Sequence, residues 1–372
     1  MKIIKRAVKK SLKKLTTKLM TKNEIRKIKD KRRQDIISTY PLTKEQKKQI
    51  DNFFLKNYGR KIPYDWHREF SAFTGKFDYK YIPELLFIPK IERYFNDTSA
   101  SKAFGDKTLL PMILNGLDYV YTPRIIACQT SPLNLKFKNH LISFEELLAN
   151  LSNLGKCFIK PAKDTNSGKG CQILNISNGI DSKTGKNIKD ILLEYNQNFL
   201  IEELLENSEA TKKLHPSSLN TFRIITYILD GKVFFAPSTM RIGIGNNEID
   251  NAHAGGIFIH IEENGKDGIL SKFAFTEFLQ KYEKHPTTGI IFENYIIPNF
   301  SLVLEAAKRV HEERLSNFGM LSFDFILDRN NKPAIIEVNS IGQTCWFPQE
   351  ASGKPFFGEN TAEVLKRIKD MI

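Results

Sequence analysis

The sequence predicts an α/β (α+β) chain with more than one lobe, and three observations carry that expectation. The 372 residues, 41% of them hydrophobic, suffice to bury a large core and to divide it. Two stretches, Asn220–Arg241 and Met320–Asn339, each read as paired apolar strands around a polar turn. Helical periodicity marks both ends of the chain.

The first element is a basic arm. Met1–Arg33 holds fifteen Lys/Arg against Glu24 and Asp30, a net of +13 out of +14 for the whole chain. Ile4, Val8, Leu12, Leu15 and Leu19 recur at helical spacing, with lysines on the other faces. That pattern suits a helix lying on an anionic membrane surface. A helix packed on its own protein and a nucleic-acid arm are the other readings. No nucleic-acid module and no basic-aromatic interleaving is present, so a nucleic-acid partner is not expected. From Gln34 to about Ala103 the pattern is mixed and mostly helical: Lys44–Leu55 reads as a helix, and Pro83 and Pro89 bracket the apolar Glu84–Ile88. Trp66, His67 and Arg68 could touch a sugar, although core packing is the commoner role of such residues.

Asn153–Pro161 reads as a short strand ending at Lys160, and the polar loop Asp164–Gly170 follows with Gly168 and Lys169, leading into an extended Cys171–Ile176. Such a loop can offer backbone amides and lysine charge to phosphate. It is not a P-loop, which runs from a strand into a helix. By itself an ordinary surface turn is the better reading. Asn198–Leu205 is an apolar strand that stops at Glu202-Glu203. A strand-to-linker backbone beside an apolar slot suits an adenine, with Glu202 or Glu203 accepting from its amino group or from a ribose hydroxyl; a strand end with solvated acids reads equally well.

Asp230-Gly231 is a strong hairpin signal between Asn220–Leu229 and Lys232–Arg241. Arg223 and Arg241 could both clamp a transferring phosphoryl group through their planar forks. A strict two-residue turn places them on opposite faces, so they share a site only if the loop is a residue longer or a strand is bulged. Asp250–Gly256 has the look of a close-approach loop, with His253 inside it and glycines at 255 and 256.

In Met320–Asn339, a turn centred on Asn330-Asn331 puts Asp324 opposite Glu337, and the two-residue period adds Asn339 to the same face. Opposed like charges destabilise a sheet, whereas a hard divalent cation accepts oxygen ligands from carboxylates and amides. Magnesium resolves the conflict; a surface hairpin in another register, its acids in water, is the alternative. Thr361–Lys369 closes the chain as a terminal helix. Cys128, Cys157, Cys171 and Cys345 show no zinc spacing and read as reduced thiols of a cytoplasmic protein. No apolar run is long enough for a bilayer, and no signal-peptide core is visible.

In this order the pieces resemble the ATP-grasp superfamily of carboxylate-amine ligases: strand lysine, glycine loop, glutamate hinge, arginine strands, Asn-x-x-x-Gly-Gly and Asp…Glu-x-Asn. The resemblance runs from about Phe104 to the C-terminus and begins at Gly105-Asp106-Lys107. The Arg241…Asn251-x-x-x-Gly255-Gly256 run looks most like glutathione synthetases and ribosomal-protein glutamate ligases. Ser218-x-Asn220-Thr221-x-Arg223 together with Asp250-Asn251…Gly255-Gly256 is closest to the sugar-transfer-associated ATP-grasp group, linked to bacterial surface polysaccharide assembly.

The resemblance implies an ATP-grasp fold, two lobes each with an antiparallel sheet and helices clasping ATP, preceded by a largely helical region. It divides the chain into 1–33, 34–103, a first lobe at 104–205 and a second at 206–372. It makes Asp324, Glu337 and Asn339 the magnesium ligands, and Lys160, Glu202 and the Glu203-Leu204-Leu205 backbone the nucleotide contacts. Gly168 and Lys169 would cover the phosphates, Arg241 would steady an acyl-phosphate, Arg223 would support the phosphate end, and Asn251, Gly255 and Gly256 would border the acceptor pocket. His253, in the same loop, could meet substrate there, although a histidine hydrogen-bonded within its loop is the commoner outcome. Two positions depart from the pattern: Ser322 stands where glycine is usual, and no second lysine follows Asp106-Lys107 at helical spacing, which leaves Lys107 a weak candidate.

The implied function is ATP- and magnesium-dependent joining of a carboxylate to an amine in surface polysaccharide synthesis. A sugar or polyol phosphotransferase and a non-catalytic nucleotide-binding scaffold are the alternatives. Substrates would be small or lipid-linked sugar acids, amino acids and amines, handled by a cytoplasmic protein peripheral to the inner face of the membrane. Their identities, and the oligomeric state, have no signature in the sequence.

Overall fold

Strand alternation and two local irregularities decide which side chains of this α+β protein meet. The computed structural model describes residues 2–163, 168–248, 250 and 255–369, with side chains described from residue 14 onward except at 103. The chain begins with α1 (Lys2–Ile28), α2 (Lys31–Ser38), α3 (Lys44–Tyr58) and α4 (Asp65–Thr74). Asp30 caps α2, and a Thr43–Gln46 capping box starts α3. Gly59 and Gly75, at φ of 80° and 74°, end α3 and α4 in the left-handed conformation.

After α4 comes Glu84–Leu86, a π-turn over Phe87–Ile91, and Glu92–Phe95. Pro89 has no amide to give to a regular helical ladder, and the wider turn absorbs the loss. Its extra residue matters. Eight residues on a regular helix leave two side chains about 80° apart, whereas one residue absorbed in a π-turn brings Glu84 and Glu92 within about 20° of a common face.

The first sheet is wholly antiparallel, in the order β3-β2-β1-β7-β4-β5-β6. Its strands are β1 (Ile125–Gln129), β2 (Lys136–Phe137), β3 (His140–Leu141), β4 (Gly155–Lys160), β5 (Gln172–Ser177), β6 (Ile180–Asp181) and β7 (Phe199–Glu203). One face, with Cys157, Ile159, Leu174, Ile176, Phe199 and Ile201, packs on the helices Phe144–Leu151 and Ile188–Glu194. The two-residue period therefore turns Phe158, Lys160 and Glu202 to the other face.

The second sheet has nine strands: β8 (Thr221–Leu229), β9 (Lys232–Phe235), β10 (Thr239–Ile242), β11 (Ile257–Asn264), β12 (Asp267–Phe275), β13 (Lys281–Tyr282), β14 (Ile296–Ile297), β15 (Met320–Leu327) and β16 (Pro333–Asn339). Its main path is β13-β12-β11-β10-β8-β15-β16. Phe222, Ile224, Met240, Ile259, Leu321, Phe323 and Phe325 bury one face under the Phe300–Glu313 helix. The opposite face is divided. Ile225, Tyr227, Phe258 and Met320 share a core with α3, α4, the Glu84–Ile91 segment and the C-terminal Thr361–Lys369 helix, while Thr221, Arg223, Arg241 and Asp324 are left to a cleft. The N-terminal helical region thus shares one hydrophobic core with the second sheet.

Both conditional registers are settled by bulges. Asp230-Gly231 makes the strict two-residue turn, with Leu229 opposite Lys232. The strand then leaves the ladder over Ala236–Ser238 and returns one residue out of step, so that Thr239 faces Arg223 and Arg241 faces Thr221. That step puts both arginines on one face. In the other hairpin the loop is Asp328–Lys332, with Leu327 opposite Pro333, one residue out of the expected register. A bulge at Ile336 corrects the offset, and Asp324 lies opposite Glu337 with Ser322 opposite Asn339. Among the described residues no helix is long and apolar enough to cross a membrane.

Candidate functional site

The two sheets face each other across a cleft of about 390 Å³, within the range of small-molecule sites. Across the second sheet Arg223, Asp324 and Glu337 stand in one row on β8, β15 and β16. Asp324 is 3% exposed, and its carboxylate accepts from Arg223 Nε, from Arg223 Nη2 at 3.1 Å and from Arg241 Nη2 at 3.0 Å. Burial pushes this carboxyl up, but the two guanidiniums outweigh it and hold the pKa below the ordinary value.

Arg241 is itself held. Its Nε and Nη2 donate to Thr221 Oγ1 at 3.0 and 2.7 Å, and Nε lies 3.8 Å from Asp250. Asp250 accepts from the Thr221 amide at 2.9 Å and from the Thr221 hydroxyl. Burial alone would weaken the guanidinium, but Asp250 and Asp324 keep its pKa above the usual arginine value. Burial leaves Asp250 raised in spite of Arg241.

The first lobe contributes a lysine–glutamate pair. Lys160 Nζ is 2.7 Å from Glu202 Oε2, each side chain 6% exposed, and Lys160 also reaches the Ile336 carbonyl of β16 at 3.5 Å. Burial lowers the lysine and Glu202 more than restores it. Lys107, whose amide is tied to Ala162 O at 3.0 Å, places its ammonium 3.3 Å from Glu337. Two lysines of the first lobe therefore converge on β16 of the second.

Asp324, Glu337 and Asn339 offer a hard cation two carboxylates and an amide oxygen from one face of one hairpin, a donor set that fits magnesium. Among the described residues no cluster of three His, Cys, Asp or Glu forms a metal site, so the third ligand here would be the amide. The carboxylates are now neutralised by Arg223, Arg241 and Lys107, and a cation entering would compete with those donors.

The expected site residues divide. Lys160, Gly168, Leu204, Arg223, Arg241, Asp324, Glu337 and Asn339 line the cleft, and Glu202 pairs with Lys160 inside it. Glu203 does not join them: one step along β7 its side chain points to the opposite face, is 42% exposed and pairs with Arg124, whereas the Glu202 side chain is turned to the cleft face. Lys169 is exposed, Leu205 is half-buried, and neither lines the cleft; nor do Gly255 and Gly256. Asn251 and His253 lie outside the described residues. Trp66 and His67 are buried in the helical core, with His67 held to a pKa of about 4 by burial, so they present no sugar surface. All four cysteines are free thiols.

Sequence reasoning missed the wall of the cleft. Ile341–Thr344, Trp346 and Phe347 line it, and segment 82–96 holds their backbone from behind. Glu84 Oε1 accepts from the amides of Cys345 and Trp346 at 2.7 and 2.9 Å, and Glu92 Oε1 accepts from Gln343 N at 2.7 Å. Asn96 donates to the carbonyls of Met320 and Ser340. Burial raises Glu84 to about 7 and Glu92 to about 8, the amide hydrogen bonds opposing it. An acid in the otherwise apolar Glu84–Ile88 was the available signal.

The family described as sugar-transfer associated ATP-grasp matches residues 88–365. No curated protein matches the sequence. Among solved structures the chain is similar to an L-amino acid ligase from Bacillus licheniformis, at 13% identity, TM-score 0.40, covering 72% of this chain and 48% of that one. It is similar also to the D-alanyl-alanine synthetase A of Vibrio cholerae, at 12% identity and TM-score 0.39 over 73% of this chain and 66% of that one. A third is the ATP-grasp ligase PsnB complexed with minimal precursor, Mg and ADP, at 12% identity and TM-score 0.41 over 74% and 62% of the two chains. The chain therefore spans between about half and two thirds of these proteins' lengths.

Proposed function

The chain belongs to the sugar-transfer associated ATP-grasp family, and from that premise we propose that it joins a carboxylate to an amine at the expense of ATP, with magnesium, in the assembly of a bacterial surface polysaccharide. One observation carries the reading: Arg223 and Arg241 converge on Asp324 beside Glu337 and Asn339, so that two guanidiniums and three oxygen donors share one cleft.

A carboxylate oxygen of the substrate would attack the γ-phosphorus of ATP as the bond to the β-phosphate oxygen breaks and ADP leaves. The amine nitrogen would then attack the acyl carbon, phosphate would depart and the nitrogen would lose its proton. Bound magnesium, held by Asp324, Glu337 and Asn339, would supply neutralisation of phosphate charge.

The rest falls to the chain's own groups. Arg241 is held in place by Thr221 and Asp250 and Arg223 by Asp324, both half-buried, which suits them to a phosphoryl group whose charge spreads during transfer. Lys160 and Glu202 hold each other in the first lobe where a nucleotide would lie, and Lys107 is close enough to Glu337 to exchange that carboxylate for a phosphate. The apolar wall of Phe258, Trp346 and Phe347 limits water near a hydrolysable acyl-phosphate.

The test is ADP release with magnesium against mixed amines and sugar acids, followed by mass spectrometry of the product. Acceptor-dependent ADP release with a product lighter by one water than its two precursors supports ligation. A phosphorylated product would move the activity to phosphotransfer, and no acceptor-dependent release with any polysaccharide precursor would leave a binding scaffold.

A further inference from the structure

Helix α1 has two faces, and only one of them meets the protein. Glu24 and Ile28 are buried, with Thr17, Met20 and Thr21 half-buried at the same three-to-four spacing, where the helix packs on the Glu84–Ile91 segment. At about 100° per residue, Leu15 and Leu19 lie roughly 180° and 140° from Glu24. They are 55% and 59% exposed, large apolar side chains on the outward side.

The apolar stripe expected from the sequence is therefore not the face that docks on the protein. Helix α1 is unbroken from Lys2 to Ile28, so the positions of Ile4, Val8 and Leu12 continue the stripe of Leu15 and Leu19 in helical register. Lys14, Lys18 and Lys22, all exposed, run beside it at a spacing of four. The arm is also anchored. Just beyond α1, Arg33 is 16% exposed and pairs with Glu69 at 2.7 Å and Glu277 at 3.0 Å.

We propose that the outward face of α1 docks on an anionic lipid surface, its leucines entering the interface and its lysines meeting the headgroups. Charge decides the occupant: nearly the whole net charge of the chain, +13 of +14, lies in Met1–Arg33, complementary to an anionic surface. Because α1 packs on the segment whose Glu84 and Glu92 hold the cleft wall, docking sets the orientation of the cleft to the surface. The proposal is independent of the ligase reading, since it is read by binding and not by turnover.

The experiment is cosedimentation of the full chain with vesicles of phosphatidylcholine alone and with about 30% phosphatidylglycerol, at low salt and at about 0.5 M salt. The chain should pellet with the anionic vesicles only, and salt should weaken it. The double variant Leu15→Glu/Leu19→Glu should lose about tenfold or more in partitioning with an unchanged melting temperature, because both side chains are exposed. Equal pelleting with both vesicle types, or a variant that binds like the parent, overturns the proposal. So does tighter binding to duplex nucleic acid than to vesicles, or a concentration-dependent dimer without lipid that the double variant abolishes.

Discussion

The cleft and the ground behind it are both rich in carboxylates, and they are treated in opposite ways. In the cleft each acid has a cation: Asp324 has Arg223 and Arg241, Glu337 has Lys107, Glu202 has Lys160 and Asp250 has Arg241. Behind it, among the described residues, Glu84 and Glu92 accept from backbone amides with no basic partner within salt-bridge distance, and Glu350 is fully buried with neither oxygen hydrogen-bonded. In the cleft cations oppose the upward push of burial and outweigh it at Asp324, while Asp250 and Glu202 stay raised beside theirs. At the wall burial carries Glu84 and Glu92 towards their neutral form.

The largest effect should come from breaking the balance at Asp324. Asp324→Asn should lower turnover by about 10³-fold or more by removing a proposed magnesium ligand and an arginine partner together. The sequence alone suggests that this variant keeps its fold intact. The structure alters that expectation, because the change strips the carboxylate from two mostly buried guanidiniums, a loss of about 3–5 kcal/mol. ADP release and thermal melts on the same preparation check both halves; a turnover loss with an unchanged melting temperature would show that the arginines do not depend on Asp324.

Arg241→Lys tests the same cluster more gently. A lysine can keep one contact of the fork but not the simultaneous bonds to Thr221 and Asp324. The expected result is a fall of about 10²-fold in kcat with a smaller change in stability, read from steady-state kinetics. A fall confined to KM would place Arg241 in ground-state binding.

How much of this was legible beforehand differs between the same two regions. The cleft was readable where one strand period and one turn sufficed, as with Asp324, Glu337 and Asn339. Even there the expected pairing arises by another route, a shifted loop compensated by the bulge at Ile336. The arginine pair was readable only as a condition, because nothing local announces the one-residue step over Ala236–Ser238. The wall was not readable. Glu84 and Glu92 act on amides more than 250 positions away, and they share a face only through the π-turn around Pro89. Lys107 and Asp250 likewise acquire their roles from partners that only tertiary packing brings near.

The wall should reveal itself in the pH dependence of stability. A carboxyl raised from an ordinary 4.5 to about 7 or 8 stays protonated in the folded protein while the unfolded chain has already ionised. Stability is then fullest below about pH 4.5 for these two groups and declines as pH rises towards 8, each contributing a slope of about 1.4 kcal/mol per pH unit within its own window. Glu92→Gln keeps an acceptor for Gln343 N and cannot ionise, so it should remove one group's share and flatten the decline. Melts from pH 5 to about 8 check the sign; an equal slope in the variant would mean that Glu92 is ionised in the folded state.

The smallest effect separates the two treatments of charge most cleanly. Glu350 lies in the Trp346–Ser352 helix that continues the cleft wall, and burial and nearby Glu69 push its carboxyl well above the ordinary range. It is close enough to Arg33 to feel its charge, but Arg33 bonds to Glu69 and Glu277 instead. Two buried oxygens without hydrogen bonds are a cost that an apolar side chain of similar volume avoids. Glu350→Leu should therefore raise stability by about 1–2 kcal/mol at neutral pH and leave ADP release unchanged, the reverse of what removing a cleft carboxylate does. A variant less stable than the parent would show that Glu350 balances Arg33 as Asp324 balances its arginines, and the distinction between the two regions would fail at that position.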